Sequence, residues 1–467
     1  MIIRPIIALI ALLMLATSTF AVETMRVDYY HTGDAKQEIF SVDRVVIEPL
    51  PWPGNPKQAI DTSNLGAYFF EVHDAKTKQL LYSRGFSSIF GEWQSTDEAK
   101  SIKRTFQESF RFPAPAAPVE IVLKRRDAKN AFVDIWTTTI DPADQFVDRS
   151  KPVAPAPVIT IQKMGDPETK VDFLILGDGY TAAEAKKFEA DAHRLTEVLF
   201  STSPFRENRR NFNVWAMAPP SAESGISRPS TGIYRDSPIG ATYDAFGSER
   251  YVLTFDNQKL RRAAQFAPYE FIEVIVNGRT YGGGGIFNLY STVAADNAFG
   301  NYVFVHEFGH HFAGLADEYY TSPVEYTTPA QRVEPWEPNV TALLDISTLK
   351  WRHLVSPFAD VTGVPTTWNK EAFEGYSREI QKRRAQLRKE KRPEEEMEAL
   401  FREELEHEQR MFKAEKHYGQ VGAFEGAMYE AKGYYRPEVD CIMFSRSDKF
   451  CKVCREAIER IIKMYSS

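Results

Sequence analysis

Between residues 24 and 141 apolar and polar residues alternate in short runs, at 39–47, 67–72, 119–123 and 132–136. Alternation with period two, rich in β-branched and aromatic residues and interrupted by Gly, Pro, Asn and Asp, predicts half-buried strands. Residues 22–141 are therefore expected to form a small β-sandwich. Residues 142–157, which end in Pro152-Val-Ala-Pro-Ala-Pro157, show no period and read as an extended linker. Beyond it the pattern changes. The runs at 171–176, 212–217 and 271–276 predict buried strands, and Phe188, Ala192, Leu195 and Leu199 recur at helical spacing. The expected fold class is α+β, with an α/β domain over 158–467 following the sandwich.

One helical stretch also carries chemistry. Tyr302, Val303, Phe304 and Val305 lead into His306-Glu307-Phe308-Gly309-His310, Phe308 and Phe312 form an i, i+4 apolar pair, and Gly314 suits a helix stop. Residues i and i+4 lie one above the other on a helix, so His306 and His310 can present two imidazoles to one metal ion. Glu307 would sit beside that ion. Zinc lowers the pKa of a bound water towards 7, and a neighbouring carboxylate can act as general base. The bland alternative is a buried helix with polar residues that bind nothing. A third protein ligand is expected, and Asp317 is placed for it, three residues after the helix-ending glycine. This matches the glycine-to-ligand spacing of the metzincin pattern H-E-x-x-H-x-x-G-x-x-H, but one residue later. Glu318 and the more distant Glu325 stay open as alternatives. His311 points to another face and reads as a packing or supporting group.

Charge and composition refine the picture. A formal net charge of −7 argues against a nucleic-acid-binding surface. Residues 1–21 have the form of a secretory signal, with Arg4 before the apolar run 6–15 and Thr19-Phe20-Ala21 at a cleavage-like position. The mature chain is expected to be exported, periplasmic or secreted, without a stable membrane anchor. Residues 377–416 are the sharpest composition shift. Positions 378–392 hold eight basic and two acidic residues, and 394–408 hold eight acidic and one basic, either side of Pro393. This predicts a charged helical insertion folded as a hairpin, with Ile380, Leu387, Met397, Phe401 and Leu405 as its seam. So sparse an apolar set is expected to bury little surface and to leave the segment accessory. Tyr281-Gly-Gly-Gly-Gly-Ile286 reads either as an edge along which an extended peptide pairs or as a flexible loop. Gly177-Asp178-Gly179 lacks the phosphate-loop signature and reads as a structural turn. Asn339-Val-Thr341 has the form of a glycosylation sequon. All three cysteines lie near the end of the chain. Export favours a disulfide from Cys441 to Cys451 or Cys454, and a second zinc site is disfavoured because no fourth ligand is obvious in the sequence.

Beyond the motif, the chain resembles the bacterial IgA-peptidase family of zinc metallopeptidases. The resemblance rests on His306-Glu-Phe-Gly-His310, Gly314-Leu-Ala-Asp-Glu-Tyr319, Asp172-Phe-Leu-Ile-Leu-Gly-Asp-Gly-Tyr180 and Gly422-Ala-Phe-Glu-Gly-Ala427. It covers most of 158–467, and the preceding segment is similar to the β-rich domain that often precedes such catalytic domains. The resemblance implies a metzincin-like endopeptidase with one catalytic Zn²⁺, acting on protein or glycoprotein substrates. It also implies that Met443 is the methionine of a tight turn beneath the metal ligands. Tyr434 or Tyr435 could support the oxyanion that develops on the scissile carbonyl. The rival reading is a surface-binding or scaffolding protein that keeps a metal site without turnover.

Overall fold

The alternating runs of the first third form strands β1 (Glu23–Gly33), β2 (Glu38–Pro51), β3 (Tyr68–Asp74), β4 (Leu80–Phe86), β5 (Arg104–Pro113), β6 (Val119–Arg126) and β7 (Phe132–Ile140). They make two antiparallel sheets, in the orders β2-β1-β5 and β4-β3-β6-β7. Alternate side chains of both sheets share one core, with Val27, Tyr29 and Phe110 from the first and Phe70, Val72 and Ile121 from the second. A short helix, α1 (Ile89–Gln94), is capped by Ser88, whose hydroxyl accepts from the Gly91 amide at 3.0 Å. The computed structural model describes residues 22–321, 332–356 and 364–466. The expected signal at 1–21 and Glu325 lie outside the described residues.

The second domain is built on a six-stranded sheet. Its strands are β8 (Ile159–Gln162), β9 (Val171–Asp178), β10 (Phe212–Met217), β13 (Phe271–Val276), β14 (Gly283–Ile286) and β15 (Tyr290–Ala294), and a two-residue pair, β11 (Ala241–Thr242) and β12 (Leu253–Thr254), lies outside it. The order is β14-β15-β13-β9-β10-β8. The four inner strands are parallel, and β8 and β14 are antiparallel edges. Every residue of β9, β10 and β13 is buried, which explains their nearly continuous apolar sequences. Both faces of the sheet are covered. Phe173 and Ile175 pack against α2 (Ala185–Ser201), α4 (Gly300–Ala313) and α7 (Lys452–Tyr465), while Leu174 and Leu176 pack against α3 (Asn257–Ala264). Ile89, Phe90 and Trp93 of α1 join that second core, so the amino-terminal domain docks on the sheet face opposite α4. Arg111 of β5 strengthens the docking by donating to the Tyr269 carbonyl at 2.7 Å and lying 3.8 Å over its ring. At the end of β9, Asp178 accepts from Ser237 Oγ and the Ile239 and Ala241 amides, so the Gly177-Asp178-Gly179 segment is a turn tied to the following loop.

The charged segment forms α5 (Lys370–Lys389) and α6 (Glu394–Ala414), folded back on each other through Arg383 and Glu403. Ile380 and Phe401 are fully buried, whereas Leu387, Met397 and Leu405 are half-buried. The expectation of little buried surface fails. Phe401 packs on Tyr281 and Phe299, with ring centroids 5.0 and 5.5 Å away, and Arg446 lies 3.9 Å over it. Phe373 and Phe412 pack on Phe444 in the main core, and Glu394 accepts from the Tyr281 amide just before β14. Charge dominates the composition of this hairpin, but a few large aromatics carry its attachment. Phe401→Ala is expected to destabilise the protein by about 3–5 kcal/mol, measured by chemical denaturation, where an accessory arm would lose almost nothing.

Candidate active site

Helix α4 ends where Gly314 takes the left-handed conformation, φ 61°, which lets the chain turn back across the helix face. That turn carries Asp317 to the two histidines. His306 Nε2 and His310 Nε2 are 3.2 Å apart, and Asp317 Oδ1 is 3.1 Å from the first and 3.2 Å from the second. Metal bonds of about 2.0–2.1 Å in a tetrahedral site place neighbouring ligand atoms about 3.3 Å apart. The triangle therefore fits one small cation. Both Nδ1 atoms face backbone carbonyls, His306 towards Ile442 at 2.9 Å and His310 towards Leu315 at 2.5 Å. A carbonyl only accepts, so each Nδ1 carries a proton and each Nε2 is the ring atom turned into the triangle, where its lone pair would meet a bound metal. Glu307 also comes within reach of the two imidazoles. Asp317 Oδ1 makes the closer contacts, 3.1 and 3.2 Å, while the Glu307 carboxyl stands further off, within 4.8 Å of both rings.

The surroundings hold these groups in place. Tyr429, at the tip of the hairpin β16 (Phe424–Ala427) and β17 (Glu430–Arg436), donates to Asp317 Oδ2, and its backbone amide bonds Tyr319 at 3.0 Å. Met443 is fully buried, and a side chain added at Gly309 would come within 3.2 Å of its sulfur, so the thioether lies directly against α4 at Gly309. His311 is fully buried on the other side of the helix. Its Nδ1 faces the Ile286 carbonyl and its Nε2 accepts from the Ile272 amide, both at 3.1 Å, tying α4 to β13 and β14. Burial drives the His311 pKa down to about 3, so it stays neutral as a structural fastener. Strand β14 approaches α4 so closely that a Cβ at Gly283 would meet Val303 Cγ1 at 2.5 Å and one at Gly285 would collide with the Glu307 carbonyl. The glycine run is thus an ordered edge strand and not a flexible loop.

The triangle opens into a cavity of about 1470 Å³ lined by both domains. From the amino-terminal domain Glu92 of α1 reaches the wall, and burial there, opposed by His310 and reinforced by Asp317, raises its pKa to about 7. Burial also raises Glu307, with His306 and His310 opposing it. Tyr434 lines the same cavity, whereas Tyr435 pairs through its backbone with Thr341. Glu318 turns away from the histidines into the interior, where Asn339 Nδ2 donates to it at 2.9 Å. Asn339 is itself fully buried, so the sequon at 339–341 is closed to modification in the folded chain. Cys441, Cys451 and Cys454 are free, buried thiols. Two contributors had no signal of their own in the sequence: Tyr429 approaches from a hairpin 112 positions away, and Glu92 comes from a domain with no recognisable chemistry.

Two predictions follow from this geometry. Tyr429→Phe removes the donor that orients Asp317 and is expected to weaken metal affinity by about 10–100-fold in a chelator competition. In metal-free protein, burial disfavours charge on His310, but the Asp317 carboxylate outweighs it and raises the imidazole pKa to about 9. Asp317 is held well below its ordinary value, chiefly by His310 against the cost of burial. The sign follows from linkage: the raised histidine contributes stability that is complete below its unfolded pKa of about 6.5 and is lost as pH rises through 9. Chelated wild type should therefore lose its stability advantage over His310→Gln between pH 6.5 and 9, as followed by urea unfolding.

Two imidazoles, a carboxylate and a second carboxyl at the foot of an interdomain cleft are the equipment of a hydrolase of the metallopeptidase class. Comparison with known families agrees. The IgA Peptidase M64 profile matches residues 159–462, and the Peptidase M64 N-terminus profile matches residues 17–137. The chain belongs to the IgA peptidase M64 family and is a peptidase. A search of curated proteins returns no match.

Proposed function

We propose that the protein is an exported, zinc-dependent endopeptidase of metzincin-like design that cleaves protein or glycoprotein substrates. The observation that carries this reading is the triangle of His306 Nε2, His310 Nε2 and Asp317 Oδ1, with edges of 3.1–3.2 Å, open to a cleft and flanked by Glu307. Bound there, zinc would polarise the scissile carbonyl and lower the pKa of the attacking water. Glu307 accepts the proton from that water as its oxygen adds to the carbonyl carbon, then passes it to the amine nitrogen as the C–N bond breaks. Its raised pKa suits both halves of that exchange.

The substrate strand is assigned to β14. Outward backbone groups of Gly283 already pair with Arg250 and Val252, and the Phe287 carbonyl pairs with Ser87. Gly285 lies between these two anchors, on the cavity wall and against Glu307. Pairing of an extended peptide there would bring its carbonyl beside the triangle. Of the two tyrosines considered for oxyanion support, Tyr434 has access to the cavity. The charged start of the chain, followed by a short apolar run and a cleavage-like site, supports export.

The test is to incubate purified protein with casein and a quenched peptide library and to map the products by mass spectrometry. Internal cleavage that stops with chelator and returns with zinc is the expected result. Cleavage indifferent to chelator, or none on any protein or glycoprotein, would overturn the proposal.

A further inference from the structure

Behind the catalytic triangle, on the buried side of the segment that carries Asp317, the fold gathers four more groups suited to a metal. The ligand atoms of Glu318, Cys441, Cys451 and Cys454 all lie within 4.8 Å of one another, and all four residues are buried. Cys441 Sγ and Cys454 Sγ are 3.8 Å apart. Glu318 Oε1 is 3.4 Å from Cys454 Sγ and 4.0 Å from Cys451 Sγ. Zinc–thiolate bonds of about 2.3 Å in a tetrahedral site separate sulfurs by about 3.8 Å, and a carboxylate ligand would lie a little closer. The fold thus supplies the fourth ligand that the sequence did not show, from a segment more than a hundred residues away.

Glu318 is the decisive member. It is 0% exposed, Asn339 bonds Oε1, and Oε2 has no hydrogen-bond partner. A wholly buried carboxyl with an orphaned oxygen, facing three thiols, is costly to ionise, and a cation held among the four groups would offset that cost. The local backbone is also arranged for thiolates. Cys451 caps the N-terminus of α7, the Cys454 amide points at Cys451 Sγ at 3.4 Å, and the Cys451 amide points at Cys441 Sγ at 3.3 Å. Amides directed at sulfur and a helix N-terminus both favour the deprotonated form that binds metal. Buried Arg436 adds a positive charge felt by Glu318 and Cys441.

We infer that Glu318, Cys441, Cys451 and Cys454 form a second, structural site for a thiophilic divalent cation, zinc by preference. The ion would join three segments. Glu318 follows Asp317 and its amide bonds the Met443 carbonyl at 2.8 Å, Cys441 precedes Ile442, whose carbonyl orients His306, and the Cys451-x-x-Cys454 pair opens α7. One closed site would hold both the turn that delivers Asp317 and the turn that carries Met443. A disulfide would use two of the cysteines and leave the third thiol and Glu318 unsatisfied, whereas a metal uses all four groups.

The test separates this site from the catalytic one. In a His306→Ala/His310→Ala variant, metal analysis should find about one zinc per chain, and zinc-edge X-ray absorption should show a shell dominated by sulfur at about 2.3 Å. Cys454→Ser should lose this ion. With both histidines kept, Glu318→Ala, which retains all three thiols, provides a milder variant and should lose zinc from this site in a chelator competition while the nitrogen-rich site remains. If the histidine variant carries no metal and intact-mass analysis shows a chain two hydrogens lighter, with Cys441 linked to Cys451 or Cys454, the site is a disulfide and the inference is wrong. Three free thiols without metal in the folded variant would overturn it equally. Neither result would bear on the triangle of His306, His310 and Asp317.

Discussion

Glu307→Ala is expected to abolish useful turnover, lowering kcat/KM by about 10²–10⁴-fold or more, while the metal at the triangle stays bound. Glu307 stands beside the triangle and is not a corner of it, because Asp317 Oδ1 already lies 3.1–3.2 Å from both imidazole nitrogens. In the proposed function its carboxyl exchanges the proton, and its removal should leave the three donors untouched. Kinetics on a small peptide together with metal analysis of the same preparation check this. Loss of metal with the alanine would make Glu307 a ligand, and near-normal turnover would remove it from the chemistry.

The second large effect is loss of the metal itself. His310→Ala and Asp317→Ala should each empty the triangle and abolish chelator-sensitive cleavage, because each removes one of three protein donors. The two neighbours Asp317 and Glu318 should behave oppositely at this site. Glu318 points into the thiol cluster, with Oε1 3.4 Å from Cys454 Sγ, so Glu318→Ala should leave nitrogen-coordinated metal in place. Spectroscopy that distinguishes nitrogen from sulfur coordination reads this directly. If Glu318→Ala emptied the triangle and Asp317→Ala spared it, the roles of the two acids would be reversed.

The legible part of the site was its local part. His306 and His310 are one helical turn apart, and Asp317 follows a glycine that ends the helix, so spacing pairs the imidazoles and makes Asp317 a candidate beside them, with Glu318 and Glu325 left open. Strands β9, β10 and β13 were equally plain, since strands buried on both faces leave long apolar runs in the sequence. What spacing cannot show is approach from a distance. Tyr429 reaches Asp317 only because a hairpin tip folds over the Asp317 segment, and Glu92 enters the cleft only because the amino-terminal domain docks on the opposite sheet face. The thiol cluster was missed for the same reason: Cys441, Cys451 and Cys454 lack a nearby fourth donor until the chain brings Glu318 to them. The hairpin of α5 and α6 misled through composition. Its charged majority faces outwards, while Phe373, Phe401 and Phe412 anchor it to the core.

The central claim is that His306, His310 and Asp317 together hold one catalytic metal ion at the foot of the cleft. Anomalous diffraction at the zinc edge from crystals of the zinc-loaded protein tests it most directly. The account predicts a peak about 2.0–2.2 Å from His306 Nε2, His310 Nε2 and an Asp317 oxygen, with the remaining position facing the cavity and Glu307 beside it. A peak bound through Glu307 or Glu318 in place of Asp317, or no peak between the two histidines, would contradict it.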